Sequence, residues 1–193
     1  MGTSLREVKK QQTRQAILAR AFELFGAEGY ETVTMAAIAA AAQVGERTVY
    51  RYFGDKEEIL FAEDDQIRAA LSTAIESQPP EASATAVLRA AAHSVAALLE
   101  HQRSELRHRA AIIEATPALR ARDRVKQAGH QQLISEHLTR RGLGAEHSRL
   151  AGAVGVVCFN EGLTRWLTAT EGSSLSDQIE AAFGELRQLT PDT

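Results

Sequence analysis

Thr32 to Leu60 reads TVTMAAIAAAAQVGERTVYRYFGDKEEIL, and its spacing predicts two short helices joined by a tight turn and followed by a capped third helix. Thr34 is placed as an N-cap, after which Met35, Ile38, Ala39 and Ala42 recur along one apolar face. Gln43, Val44 and Gly45 make the turn. Beyond it Val49, Tyr52 and Phe53 share a face, so Glu46, Arg47, Thr48, Tyr50 and Arg51 point elsewhere and give the second helix a hydrogen-bonding exterior. Asp55 and Glu58 have capping-box spacing, with Asp55 accepting from backbone amides and Glu58 reaching back to it. Two short helices across such a turn form the helix-turn-helix geometry, which lays the second helix in the major groove of DNA.

The threonine before the first helix, Tyr50 and Phe53 near the end of the second, and Lys56 three residues on resemble the TetR family of bacterial transcriptional regulators. The resemblance is close from about Thr13 to Leu60, including the preceding TRQAILARAFELFGAEGYETVTM, and beyond that extends to length and helical pattern. It implies an all-α chain: an N-terminal three-helix helix-turn-helix DNA-binding domain over 1–54, then a helical effector-binding and dimerisation domain over 55–193. It also implies that Thr34, Tyr50 and Lys56 contact phosphates, the last beside a helix N-terminus whose amides favour anions. Gly45 stands at the start of the recognition helix, and Glu46, Arg47, Thr48 and Arg51 lie where base edges can be reached. An arginine there suits guanine, while Glu46 is more simply read as stabilising the first helical turn. Two departures stand out. Gln43 replaces the usual glycine of the turn, at a cost of roughly 1 kcal/mol if that residue is left-handed. Gly45 replaces a serine cap. Alanines at 36, 37, 40 and 41 stand where charged residues are common, which shifts the load to Lys56 and to an N-terminal basic arm of Arg6, Lys9, Lys10 and Arg14.

The net charge of −3 looks unsuited to nucleic acid until the chain is divided. Through Lys56 there are 8 Lys and Arg against 6 Asp and Glu, so the head is mildly basic and the remainder acidic. Of 193 residues 44% are hydrophobic, with no secretory signal and no unbroken apolar run able to span a bilayer, so a cytoplasmic protein without a membrane partner is expected. The single cysteine, Cys158, excludes an internal disulfide and any multi-cysteine metal site, and reads as a small buried apolar group. His101 and His108, like His130 and His137, are seven apart, two helical turns, which is not metal-ligand spacing. No metal and no cofactor are expected. No nucleophile beside a base, phosphate-cradling glycine loop or paired-carboxylate motif appears, so an enzyme is the third of three readings.

Downstream, prolines and glycines punctuate helices expected at 55–77, 81–101, 104–115, 118–140, 145–170 and 173–189. In RLAGAVGVVCFN, residues 149–160, small side chains imply close helix approach, and Ile179, Ala182, Phe183, Leu186 and Leu189 form an apolar stripe on the last helix. By resemblance, the last two helices of each protomer build a four-helix homodimer interface. A dimer also follows from recognition, since one short helix reads few bases and a two-fold pair reads an inverted repeat in double-stranded DNA. By resemblance again, a small-molecule effector occupies a cavity among the middle helices and shifts helix 55–77, releasing a repressor from its operator. Candidate lining residues are His93, Ile112, Ile113, His130, Leu133, Phe159, Asn160 and Trp166. The basic run of Arg103, Arg107, Arg109, Arg120, Arg122, Arg124 and Lys126 reads as a solvated face before it reads as an acid-binding site. The alternative to a ligand-released repressor is a helix-turn-helix architectural or activating factor that takes no small ligand.

Overall fold

The computed structural model describes residues 5–169 and 172–189, and among these every regular element is helical. The order is α1 (Leu5–Glu28), α2 (Met35–Ala41), α3 (Glu46–Tyr52), α4 (Lys56–Leu60), α5 (Asp64–Glu76), α6 (Ala84–Leu99), a 3-10 turn (Glu100–Gln102), α7 (Arg103–Ala115), α8 (Pro117–Arg140), α9 (Ala145–Thr168) and α10 (Leu175–Leu189). Two compact units divide the chain.

The first unit runs through Ala62, past the 54/55 boundary expected from the sequence, and takes in His108–Leu119. Its core is built from Ile17, Leu18, Ala21 and Phe25 of α1, Met35, Ile38 and Ala39 of α2, Val49 of α3, Phe53, and Ile59, Leu60 and Phe61. The one continuous helix expected over 55–77 is interrupted at 61–63. Phe61 leaves helical geometry (φ −108°, ψ 25°) to bury its ring in this core, and the Arg14 guanidinium donates to the Ala62 carbonyl, satisfying a group that a continuous helix would have used. The basic arm is also revised: Arg6, Lys9, Lys10 and Arg14 are residues of α1, and Arg14 is held inward, 5.3 Å over the Phe53 ring.

The second unit comprises Glu63–Arg107 and the chain from Arg120 on. The buried alanines and valines of α6 lie at its centre, with Leu71 and Ile75 of α5, Ile134 and Leu138 of α8, Cys158 and Trp166 of α9, and Ile179, Ala182 and Phe183 of α10 packed about them. Glycines let α9 fit between neighbours. A Cβ on Gly152 would stand 2.6 Å from the Gln131 carbonyl oxygen of α8, one on Gly155 2.8 Å from Leu88 Cδ2 of α6, and one on Gly162 2.7 Å from Ile179 Cα of α10. The small residues and the α10 stripe are thus largely spent inside one protomer; Leu150, Val157 and Leu189 remain exposed.

Arginines close two helix ends by satisfying carbonyls that lack an intrahelical donor. Arg103 donates to the Trp166 and Ala169 carbonyls, and Arg107 to those of Leu167 (2.6 Å) and Ala169 (3.1 Å) at the end of α9. Arg141 donates to the carbonyls of Ile75 (3.3 Å), Gln78 (3.0 Å) and Pro79 after α5. At the other polarity, the Glu100 carboxylate accepts from the Leu175 amide that opens α10. The basic run around α7 is therefore in part a capping device rather than a solvated face. The helix expected to reach 170 ends at Thr168, where Ala169 is extended; residue 170 lies outside the described residues. No helix among the described residues is long and apolar enough to cross a membrane.

Candidate nucleic-acid interface

The turn between α2 and α3 is a Schellman motif: the Val44 amide donates to the Ala39 carbonyl (3.0 Å) and the Gln43 amide to that of Ala40 (3.1 Å). That motif demands a left-handed residue at its pivot, and Gln43 occupies it at φ 55°. Thr34 Oγ1 accepts from the Ala37 amide at 3.1 Å and its hydroxyl proton stays free to donate outward. Gly45 caps α3 through extended backbone (φ −69°, ψ 145°) without a side-chain bond.

Burying Val49 and Phe53 turns the opposite side of α3 to solvent. Glu46, Arg47, Tyr50 and Arg51 are exposed, Thr48 is half-buried, and Tyr52 packs against the core with Arg51 5.4 Å over its ring. The two arginines carry the positive charge of this face. Arg51 also borders an open cleft whose other wall is Arg6, Glu7, Lys9, Lys10 and Thr13 of α1, Glu7 lying 3.6 Å from the Lys10 ammonium. The first turns of α1 and the end of α3 thereby form one surface on which four basic side chains outnumber the single acid, Glu7.

Lys56 is held differently from the sequence expectation. Its ammonium donates to the carbonyls of Tyr30 (2.7 Å) and Glu31 (3.2 Å) and lies 4.6 Å over the Tyr30 ring, tying α4 to the loop after α1. The α4 start is already capped: Asp55 accepts from the Glu58 amide (2.7 Å), and the Glu58 carboxylate accepts from the Gly54 amide (2.8 Å) rather than reaching Asp55. Only the third ammonium hydrogen of Lys56 is left to face a phosphate.

This capped two-helix unit, with its polar arginine face, is matched in known proteins. Residues 17–62 fit the model of the bacterial regulatory proteins of the tetR family, and residues 82–191 fit that of the MftR C-terminal domain. The chain belongs to the TetR family of bacterial regulatory proteins. It is similar to the transcriptional regulator TcmR of Streptomyces glaucescens, 40% identical over 78 residues that span 40% of this chain and 34% of TcmR. It is also 28% identical over 166 residues to MftR, named for regulation of mycofactocin biosynthesis in Mycobacterium tuberculosis, covering 84% of this chain and 83% of that one. The fold matches that of Bacillus subtilis FadR, solved with stearoyl-CoA, at a TM-score of 0.61 and 22% identity over 89% of this chain and 96% of FadR. As a TetR-family member, the protein is a DNA-binding transcriptional regulator.

The residues expected to line an effector cavity do not form one cluster. Ile112 and Ile113 pack against the core of the first unit. Trp166 is buried, its indole N–H donating to the Ser173 carbonyl at 3.1 Å and Arg103 stacked 5.1 Å over its ring, so it serves the core and the α9 cap. His93 pairs with Glu180 of α10 at 2.7 Å, beside Arg89. Leu133 and Phe159 are half-buried against the second core. His130 bonds Asp64 at 2.9 Å, and Asn160 donates to Gln127, three residues before His130 on α8, at 3.0 Å. Burial pushes the His130 imidazole below its ordinary range, against the pull of the Asp64 carboxylate, and keeps it neutral near pH 7. Among the described residues no group of three His, Cys, Asp or Glu could hold a metal ion. The Cys158 thiol is buried and pushed up by desolvation, in keeping with a packing role.

Proposed function

We propose that the protein is a homodimeric repressor that binds an inverted-repeat operator through α3 of each protomer and leaves it when a small-molecule effector binds the second unit. The observation that carries the reading is the exposed α3 face, on which Arg47 and Arg51 stand clear of a core that fixes the helix through Val49 and Phe53. Arg47, Arg51 and Thr48 read base edges, Glu46 steadies the first turn, and Thr34, Tyr50 and Lys56 hold phosphates beside Gly45, whose lack of a side chain lets the backbone approach closely. Lys9 and Lys10 add phosphate contacts. Leu150 and Val157 on α9 are the exposed apolar groups available to a second copy. The structures of FadR with stearoyl-CoA and of SmeT with triclosan, alike in fold, support a small-molecule effector. Such a regulator works in the cytoplasm, where its DNA is.

Selection of bound sequences from random duplex DNA at physiological salt, where nonspecific binding is weak, tests this reading. Enrichment of an inverted repeat is expected. Enrichment of a single half-site would contradict the dimer, and absence of enrichment from folded protein would contradict sequence-specific binding.

A further inference from the structure

A row of two cations and two aromatic rings joins the end of α3 to α1. The Arg51 guanidinium lies 5.4 Å from the Tyr52 ring centroid, the Tyr52 and Phe53 centroids are 6.5 Å apart with an interplanar angle of 42°, and the Arg14 guanidinium lies 5.3 Å from the Phe53 centroid. Each step is within the reach of cation–π or tilted-ring attraction. The row runs from solvent into the core: Arg51 is exposed, Tyr52 half-buried and Phe53 buried. Its inner member is tethered, because Arg14 Nη2 also donates to the carbonyl of Ala62, where the first unit ends.

The bond to Ala62 uses Nη2 alone. Nη1 is buried with no hydrogen-bond partner among the described residues, an unpaired donor that is costly to keep. What the guanidinium adds is a fixed cation on the face of Phe53, the residue whose extended backbone (φ −144°, ψ 123°) ends α3. Arg51, in the last turn of that short helix, carries a long stem whose rotational freedom is lost when it engages a base, and that loss subtracts from affinity. Bidentate pairing also requires the guanidinium plane to be correctly turned. A ring beneath Arg51, itself set by Phe53 and Arg14, supplies that orientation in the free protein.

We propose that Arg14 is a positioning residue for sequence recognition, holding the Arg51 guanidinium through the Phe53 and Tyr52 rings in the orientation in which it reads a base. The inference rests on the reading above that Arg51 contacts base edges, and adds the residue that stands behind it.

A double-mutant cycle on the full-length protein tests this. Discrimination is measured as the ratio of affinities for the selected operator and for the same duplex changed at the base pair whose preference Arg51→Ala relaxes. Arg14→Met is expected to lower this ratio about threefold to tenfold, the range of coupling between neighbouring side chains, with affinity for random duplex unchanged. In an Arg51→Ala background the same substitution lowers it no further. Loss of folded protein weakens operator and random duplex alike, so it does not imitate this pattern. Tyr52→Leu, which removes the ring beneath Arg51 from a half-buried position, is expected to behave as Arg14→Met does and serves if that variant does not fold. An unchanged ratio, or an equal fall in both backgrounds, would overturn the proposal. If Arg51→Ala relaxes no base pair, the base-reading assignment itself fails and the proposal falls with it.

Discussion

Single residues carry both the strain and the titration of this protein. Gln43 holds the left-handed pivot of the α2–α3 turn at φ 55°, a conformation that glycine adopts without steric cost. Gln43→Gly is expected to stabilise the protein by about 1 kcal/mol, read as a higher denaturant midpoint at unchanged slope. Destabilisation would mean that the glutamine side chain is anchored. His130 titrates below its ordinary 6.5 because burial disfavours the imidazolium, and His137 does so for the same reason with Arg140 adding repulsion. Below pH 6.5 the unfolded chain therefore takes up protons that the folded one refuses, and stability falls as pH drops. Melting temperatures followed from neutral to acid pH are expected to decline, with a shallower slope in His130→Gln. At this scale the sequence was well read at Thr34, Gln43 and Gly45, because caps and pivots are local. The tie that Lys56 makes was not legible: its carbonyl partners at Tyr30 and Glu31 lie about seven helical turns' worth of sequence away, and no spacing rule reaches them.

Elements differ in how far their own sequence determines them. α2 and α3 were legible because each apolar position recurs at helical spacing beside a recognised turn. The α4–α5 break was not, since DKEEILFAEDDQIRAAL contains no proline or glycine after the cap; the interruption comes from burial of Phe61 and from Arg14 reaching Ala62. The arginine caps were equally hidden, as Arg103 and Arg107 serve a helix end some sixty residues on. α9 shows the opposite case, where glycines announced close approach before the partners were known. Gly162→Ala is expected to cost about 1–3 kcal/mol, because its methyl would meet the Ile179 backbone, which cannot move without shifting α10; thermal denaturation checks it. The helical start of α1 has its own consequence. Lys9→Ala and Lys10→Ala are each expected to weaken binding to all DNA sequences alike and to lower the salt slope by about 1, measured as log K against log salt. A change in sequence preference would place them at base edges instead.

For the whole molecule, the basic surplus counted through Lys56 does not survive in the first compact unit, which also holds Glu57, Glu58, Arg109 and Glu114 and is neutral overall, so the acidic excess lies in the second unit. The sequence made the exposed face of Glu46, Arg47, Tyr50 and Arg51 legible, since that face is what a turn and two short periodic helices leave exposed. It could not place the effector site, because a cavity depends on side chains from several helices, and the eight residues expected there scatter among two cores, a cap and two polar clusters. Self-association is predicted at Leu150 and Val157: with the α10 stripe largely buried within the protomer, Val157→Glu is expected to convert a dimer to a monomer in analytical ultracentrifugation and to abolish operator binding while the fold persists by circular dichroism. The central claim is that the arginines of α3 read bases. Repeating the DNA selection with Arg51→Ala measures this most directly: relaxed preference at one symmetry-related position in each half-site, with a loss of about 1–3 kcal/mol on the selected operator, is the predicted result, and an unchanged motif bound with unchanged affinity would contradict it.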